Sequence, residues 1–267
     1  MNKLIETLVA GLQARRITYV QWKSNYNLPF FLQGGGDLDL LIDPLEITDF
    51  ENILAELSFI EARTCFRSAS NEIKHFFGLD LTSGKFIHVH AYYRLITGGT
   101  LFKNLELPAH CLMHQTRTHD SGINLPLPGL EYQMFLIRKL SEFANLIELP
   151  FVIREKPSLN EEFAYLEKAV EQSNELVPEA SLLTPDALRD AQSVARNHFP
   201  ILRSFRVGLR LANSLAPYRR ETLLLASVSR IFELIRRVLC KIALRGKGTK
   251  VIVPRGKVIA VTGTDGS

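Results

Sequence analysis

The sequence lacks the features that mark secreted, zinc-binding and membrane-spanning proteins. It has three cysteines in 267 residues, Cys65, Cys111 and Cys240, and no CxxC pair. A disulfide framework and a zinc knuckle are therefore not expected. The chain has no uncharged apolar run of about 18 residues, which a membrane span would need, and its N-terminal stretch lacks the cleavage site of a signal peptide. A cytoplasmic protein without a membrane span is predicted.

Acidic residues are scarce in the C-terminal part of the chain. Residues 1–195 carry 17 Lys and Arg against 25 Asp and Glu, whereas residues 196–257 carry 15 Lys and Arg with Glu221 and Glu233 as their acids. The basic helices, 196–250, either dock on the acidic N-terminal domain or bind a polyanion, which includes nucleic acid, an anionic membrane surface and a phosphorylated substrate. Docking is favoured, because the segment has no interleaved aromatic residues and no nucleic-acid motif.

The order of apolar periodicities predicts an α+β fold. In the first 100 residues it indicates a small mixed sheet with helices on one face. The predicted elements there are helices at 2–16 and 45–57 and strands at 17–22, 37–42, 72–81 and 86–95, with a hairpin connection at 82–85.

The second half of the chain is predicted to be mostly helical. A helix that begins near Leu130 is followed by helices at 160–173, 185–197, 200–215 and 220–245. In the last of these helices, apolar residues alternate four and three positions apart from Leu224 to Ile242. The predicted organisation is an N-terminal domain of residues 1–150, a helical domain at 151–246 and a linker at 247–256.

Three glycines run directly into two aspartates in the stretch QGGGDLDLLID. In a strand, alternate side chains share a face, so Asp37 and Asp39 are expected to point the same way. Paired carboxylates are costly to bury unless a cation lies between them. Mg²⁺ carrying the phosphates of a nucleotide is such a cation, and Gly34, Gly35 and Gly36 would let the backbone approach a triphosphate.

This stretch resembles the signature of the DNA polymerase β-like nucleotidyltransferase superfamily, and the resemblance extends over residues 1–150. It implies a small mixed nucleotidyltransferase-like sheet, with Asp37 and Asp39 as ligands of catalytic Mg²⁺ or Mn²⁺ and the glycines near the phosphates. The implied reaction transfers a nucleotidyl group from an NTP to an acceptor that the sequence does not identify. Lys23, in the loop before the signature, is a candidate for phosphate contact, and Arg138 is a candidate for contact with substrate.

The third carboxylate of that superfamily, which comes from a neighbouring strand, has no counterpart at the expected position. The strand there carries His88 and His90 at alternate positions, and three interpretations are open. A histidine is a metal ligand or an acid–base group, or Asp80 on the partner strand completes the metal site, or the domain has lost catalysis and binds nucleotide or phosphate as a regulatory module. The two histidines and the two aspartates are the candidate catalytic residues, and Asp80 is the third candidate metal ligand.

The C-terminal stretch VIAVTGTDGS, at residues 258–267, resembles the start of a P-loop of the thymidylate kinase type. The resemblance implies that Gly263 and Gly266 lie against phosphate. The Gly, Lys and Ser or Thr that a P-loop needs next are not in the sequence, so kinase activity is not expected of this chain. The expectation is a truncated P-loop domain from 257 onward, in a chain that corresponds to the N-terminal half of thymidylate kinase-like proteins of bacteria.

Overall fold

A computed structural model describes residues 1–64, 72–99, 101–173, 181–243 and 250–252. The architecture is α+β with a small mixed sheet, which confirms the fold class predicted from the sequence. Among the described residues, no helix combines the length and the apolar character that a membrane crossing needs. The predicted P-loop strand and its Gly263 and Gly266 lie outside the described residues.

Strands and helices alternate in the first half of the chain, and most elements of the second half are helices. The strands are β1 Tyr19–Gln21, β2 Asp37–Ile42, β3 Ile60–Thr64, β4 Ile73–Asp80, β5 Lys85–Tyr92, β6 Leu95–Thr97, β7 Leu105–Leu107, β8 Thr116–Thr118, β9 Asn124–Pro126 and β10 Lys250–Ile252. The helices are α1 Lys3–Ala14, α2 Leu28–Phe31, α3 Ile47–Glu56, α4 His110–Met113, α5 Pro128–Phe143, α6 Leu149–Ser173, α7 Pro185–Arg196, α8 Ile201–Ser214 and α9 Leu223–Ala243. The strands and long helices predicted within the described residues are present, whereas α2, α4, β3 and β6 to β10 were not predicted.

The main sheet has six strands in the order β1-β2-β5-β4-β3-β10. Among the described residues, β2 with β5 is the only parallel pair of this sheet, and the other neighbouring strands are antiparallel. The α3 helix and strands β3 and β4 therefore lie between β2 and β5 in the chain. The parallel pair decides which side chains meet at the candidate site.

Helices cover both faces of the sheet, and not one face as predicted. On one face, Leu40 and Val89 share a hydrophobic core with Phe50 of α3 and with α1. On the other face, Leu41 and Tyr92 share a core with helices α5 to α8. The second core extends along β1 and the C-terminal half of β2, whereas Asp37 at the start of β2 is half exposed.

The predicted boundary between residues 150 and 151 falls within α6, and this helix contributes to the same core as the sheet. The division into domains 1–150 and 151–246 therefore stays a prediction. Residues 250–252 of the predicted linker 247–256 form β10, which pairs with β3. The C-terminal part of the described chain thus returns to the edge of the sheet.

The basic C-terminal segment makes ion pairs with acidic residues of the N-terminal half. Arg220 Nη2 lies 2.7 Å from Glu72 Oε1, and Arg230 Nε lies 3.1 Å from Glu148 Oε1. Along α9 the apolar positions spaced four and three apart from Leu224 to Val238 point outward, and Leu224 is 77% exposed. The polar side of α9 therefore contacts the rest of the protein, and its apolar side lies at the surface of the described structure.

We expect Gly208→Ala to destabilise the fold, because α8 packs closely on α5 at this position. A Cβ atom on Gly208 would lie 2.4 Å from the carbonyl oxygen of Leu140, which belongs to helix backbone and cannot rotate away. The expected loss in the free energy of unfolding is about 2 kcal/mol, as for other overpacked sites. Urea unfolding followed by circular dichroism measures it. Arg210→Ala, at an exposed position of the same helix, is the matched control, and equal stability of the two variants would contradict the close packing.

Candidate functional site

The two aspartates of the glycine-rich stretch lie on one face of β2, beside two histidines of β5. In the parallel register, Asp37 pairs with His88 and Asp39 with His90. His88 Nδ1 is 2.5 Å from Asp37 Oδ1, and His90 Nδ1 is 3.1 Å from Asp39 Oδ1. The structure thus brings the four candidate catalytic residues together as two carboxylate–imidazole pairs.

Strand β4 adds a third imidazole to this face. Its antiparallel register places His75 opposite His90 and Phe77 opposite His88. The rings of His75 and His90 stack with their centroids 4.2 Å apart, and His75 Nδ1 is 3.0 Å from His88 Nε2. A hydrogen-bonded line therefore runs from Asp37 through His88 to His75.

Two lysines contact the hydroxyl of Tyr92, and one of them also contacts Asp39. Lys23, which directly follows the Trp22 at the end of β1, has its Nζ 3.0 Å from Asp39 Oδ1. The Nζ atoms of Lys23 and Lys103 each donate a hydrogen bond of 3.0 Å to the hydroxyl of Tyr92. Lys23, a predicted phosphate contact, thus lies in the site and neutralises Asp39.

These contacts fix the charge of the site. Burial raises the pKa of Asp39, but Lys23 and His90 outweigh it and hold this pKa at about 2. Burial lowers the pKa of His90 to about 4, although Asp39 opposes the shift. The hydrogen bond with His88 lowers the pKa of Asp37 despite its partial burial. At neutral pH both carboxylates are therefore ionised and His90 is neutral.

The three glycines form the turn that joins α2 to β2. Gly34 and Gly36 both have φ of +80°, which L side chains rarely adopt, and a Cβ atom on Gly35 would lie 2.4 Å from the ring of Phe30. The turn itself therefore requires glycine at these positions. It also places three backbone units without side chains directly before Asp37, where the nucleotidyltransferase resemblance locates phosphate.

Asp80, the third candidate metal ligand, does not belong to this site. Side chains alternate along β4, so Asp80 lies on the face opposite His75. Its carboxylate accepts a hydrogen bond of 2.7 Å from Asn2 Nδ2 and one of 2.5 Å from Ser83 Oγ. It joins the β4–β5 turn to the start of α1, and the interpretation in which it completes the metal site is wrong.

The two carboxylates suit a metal ion whose remaining ligands come from a bound substrate and from water. Within the described ranges, no group of three or more His, Cys, Asp or Glu side chains is arranged to hold a metal ion. Mg²⁺ is commonly bound by one or two carboxylates together with substrate phosphates and waters. Asp37 and Asp39 fit that requirement, because they are ionised and lie on one face at alternate positions.

A small cavity lies beside Lys23. Its volume is about 10 Å³, which is room for about one water-sized group, and α5 and α6 form its far wall. It is lined by Trp22, Lys23, Ser24, Glu131, Met134, Phe135, Arg138 and Glu162. Arg138, a candidate for substrate contact, thus lies close to the site, and Nη2 of its guanidinium is 2.7 Å from Glu162 Oε1.

We expect Glu131→Gln to stabilise the protein at alkaline pH. Burial raises the pKa of Glu131 to about 7 in the fold, although Asn25 opposes the shift, and the ordinary value is 4.5. The native state therefore holds this proton more tightly than the unfolded chain, and stability falls as pH rises from about 4.5 through 7. The variant should lack this fall and gain up to about 3 kcal/mol at pH 8.

Urea unfolding of wild type and variant at pH 5 and pH 8 checks this expectation. The two proteins should be nearly equally stable at pH 5 and differ at pH 8. Glu161→Gln, at an exposed neighbour of Glu162, is the control and should shift stability equally little at both pH values. A Glu131→Gln variant that shows the wild-type fall would contradict a buried carboxyl with a raised pKa.

The sequence analysis missed His75, Tyr92 and Lys103. The first two share a face with the predicted histidines, so alternation along the two strands is a signal that identifies them. Lys103 lies in the connection between β6 and β7, and nothing in the local sequence distinguishes it from a surface lysine.

Comparisons with family models, with curated proteins and with solved structures gave no match for this chain. The function therefore has to be argued from the geometry of the site.

Proposed function

We propose that this protein is a nucleotidyltransferase that binds an NTP with Mg²⁺ or Mn²⁺ and transfers a nucleotidyl group to an acceptor. One observation carries the proposal: Asp37 and Asp39 lie ionised on one face of β2, directly after a turn of three glycines. Placing two charges of the same sign side by side costs free energy, and such arrangements are concentrated at functional sites. The resemblance to the DNA polymerase β-like signature names that function.

In this proposal Asp37 and Asp39 would hold the metal ion, and the ion would supply the positive charge that offsets phosphate charge as pyrophosphate departs. The chain's own residues prepare them for this role. His88 orients the carboxylate of Asp37 through its hydrogen bond, and Lys23 and His90 keep Asp39 ionised at any pH above about 2. Lys23 also supplies a positive charge for a phosphate oxygen.

The experiment is a calorimetric titration of the wild-type protein with each of the four NTPs, with Mg²⁺ and with EDTA. Binding that requires the metal is the expected result. Absence of affinity for every NTP and for Mg²⁺ would overturn the proposal. Incubation with NTPs labelled at the α-phosphate, in the presence of candidate acceptors, then tests for transfer of the label.

A second function is favoured by one contact, that of Lys23 Nζ with Asp39 Oδ1 at 3.0 Å. This ammonium neutralises the carboxylate without any metal ion, and histidines stand where the superfamily carries its third carboxylate. Both features suit a domain that binds nucleotide or phosphate as a regulatory module and does not transfer it. Label transfer that is lost in Asp37→Asn and Asp39→Asn would eliminate this function, whereas nucleotide binding without any transfer would favour it.

A further inference from the structure

The cavity beside Lys23 is lined by buried hydrogen-bond donors that lack acceptors. Trp22 is 2% exposed, and its indole Nε1 has no partner among the described residues. The Nε of Arg138, whose side chain is 14% exposed, likewise has no partner there. Both groups are donors only, so each needs an acceptor atom, and burial without one is costly.

The charges around the cavity favour a negatively charged acceptor. Lys23 and Arg138 contribute two cations, and Glu162 is already paired with Arg138. Glu131, the other acid in the wall, has a pKa raised by burial to about 7, so its protonated form is populated near neutral pH and can donate a hydrogen bond. The side chains that line the cavity are therefore net positive when Glu131 is protonated, and Asp39, which lies outside the lining, pairs with Lys23.

We propose that this cavity is a subsite for one oxygen atom of an oxyanion, a phosphate or carboxylate group whose oxygen accepts from Trp22 Nε1–H and Arg138 Nε–H beside the ammonium of Lys23. Lys23 also contacts Asp39, so the oxyanion lies one side chain away from the carboxylate pair. Two sources supply this chemistry: an acidic group of the acceptor, or the phosphates of the nucleotide itself. Whether the oxyanion belongs to the acceptor or to the nucleotide is a question that rests on the proposed function. The binding of an oxyanion in this cavity does not depend on that function.

Trp22 is the only tryptophan of the chain, so its fluorescence reports directly on the cavity. The test titrates wild-type protein with inorganic phosphate at constant ionic strength, with sodium chloride as the matched control. The expected result is a saturable change in emission with phosphate and none with chloride. An equal response to both salts, or no response and no heat of binding with phosphate, would overturn the proposal.

Two variants assign the donors. Arg138→Lys retains the positive charge and the pairing with Glu162 but loses the Nε–H, and Trp22→Phe retains a ring but loses the indole N–H. Calorimetry should show phosphate affinity reduced roughly ten-fold or more in each, which is the effect of one lost hydrogen bond to a charged group. Arg189→Lys, at an exposed site of α7, should bind like wild type. Circular dichroism identifies a variant that has not folded, and unchanged affinity in folded Arg138→Lys would overturn the assignment.

Phosphate binding in the presence of MgATP, and in the Asp37→Asn variant, distinguishes the two sources of the oxyanion and the two proposals. If phosphate affinity is unchanged when MgATP is bound first, the subsite serves the acceptor, and if MgATP displaces phosphate, the subsite serves the nucleotide. Asp37→Asn should lose metal-dependent nucleotide binding and keep the fluorescence response to phosphate. A wild-type protein that responds to phosphate without binding any nucleotide would refute nucleotidyl transfer and leave the oxyanion subsite in place.

Discussion

Asp39→Asn should weaken the Mg²⁺-dependent binding of nucleotide at least ~100-fold, since altering even a residue behind a metal ligand costs ~10–100-fold in metal affinity. The substitution removes one of the two charges that would hold the metal ion. It also leaves the ammonium of Lys23, 3.0 Å from this carboxylate, without its counter-charge beside the metal. Asp37→Asn should have a comparable effect, because its carboxylate is the other ligand. Calorimetric titration with the best-binding NTP, at saturating Mg²⁺, measures both.

Asp80→Asn is the control for this experiment. Asp80 lies on the same small sheet, but on the face that contacts α1 through Asn2. The Asp80→Asn variant should bind nucleotide like wild type, although its β4–β5 turn loses part of the hydrogen bonding that Asp80 provides. If Asp39→Asn binds as tightly as wild type, or if Asp80→Asn is equally impaired, the carboxylate pair on β2 is not the metal site.

Glu148→Ala should lower the free energy of unfolding by roughly 3–5 kcal/mol, the cost of leaving one member of a buried ion pair alone. The side chain of Glu148 is fully buried and that of Arg230 is 10% exposed, with Arg230 Nε 3.1 Å from Glu148 Oε1. Gly99 packs so closely on the carboxylate that a Cβ there would lie 2.1 Å from Oε1. In the variant, most of the Arg230 side chain would stay buried without its counter-charge. Urea unfolding followed by circular dichroism measures the loss.

A double variant distinguishes pairing from general packing. Glu148→Met combined with Arg230→Met removes both charges, and we expect it to be more stable than Glu148→Ala alone. Glu6→Ala, which breaks an exposed pair with Lys3, should cost less than about 1 kcal/mol. A loss in Glu148→Ala as small as this control would show that the pair does not fasten α9 to the rest of the protein.

Local sequence patterns were sufficient to identify the strand that carries the candidate site. The turn at Gly34 to Gly36 and the alternation of Asp37 and Asp39 depend on neighbours in the chain, and the structure has both as expected. The α+β class followed in the same way, from periodicities within single elements. These features need no knowledge of distant contacts.

The partners of the aspartates depend on long-range registers, which single elements do not encode. The sequence indicated that His88 and His90 share a face, but the parallel pairing of β2 with β5 decides which carboxylate each one meets. Likewise, Trp22 and Arg138 come together only when α5 packs beside the end of β1. The local sequence therefore does not predict that Trp22 Nε1 and Arg138 Nε lack hydrogen-bond partners.

The position of Asp80 was predictable in principle. In the β4–β5 hairpin, Asp80 pairs with Lys85 and His75 with His90, so even-numbered residues of β4 face odd-numbered residues of β5. Any hairpin with a four-residue connection at this point has the same parity. Asp80 therefore lies on the face away from His88 and His90 in this register, and a slip by one residue would reverse that placement.

The order in which β2, β4 and β5 follow one another has a consequence for the time course of folding. The β4–β5 hairpin closes locally, whereas Asp37 and His88 are separated by 51 positions. Closing that long loop has a larger entropic cost, and pairings of high sequence separation form slowly. We therefore expect the imidazoles of His75, His88 and His90 to come together early and the carboxylates of Asp37 and Asp39 to join them late. Nucleotide binding should then return only in the last phase of refolding, after most of the secondary structure has formed.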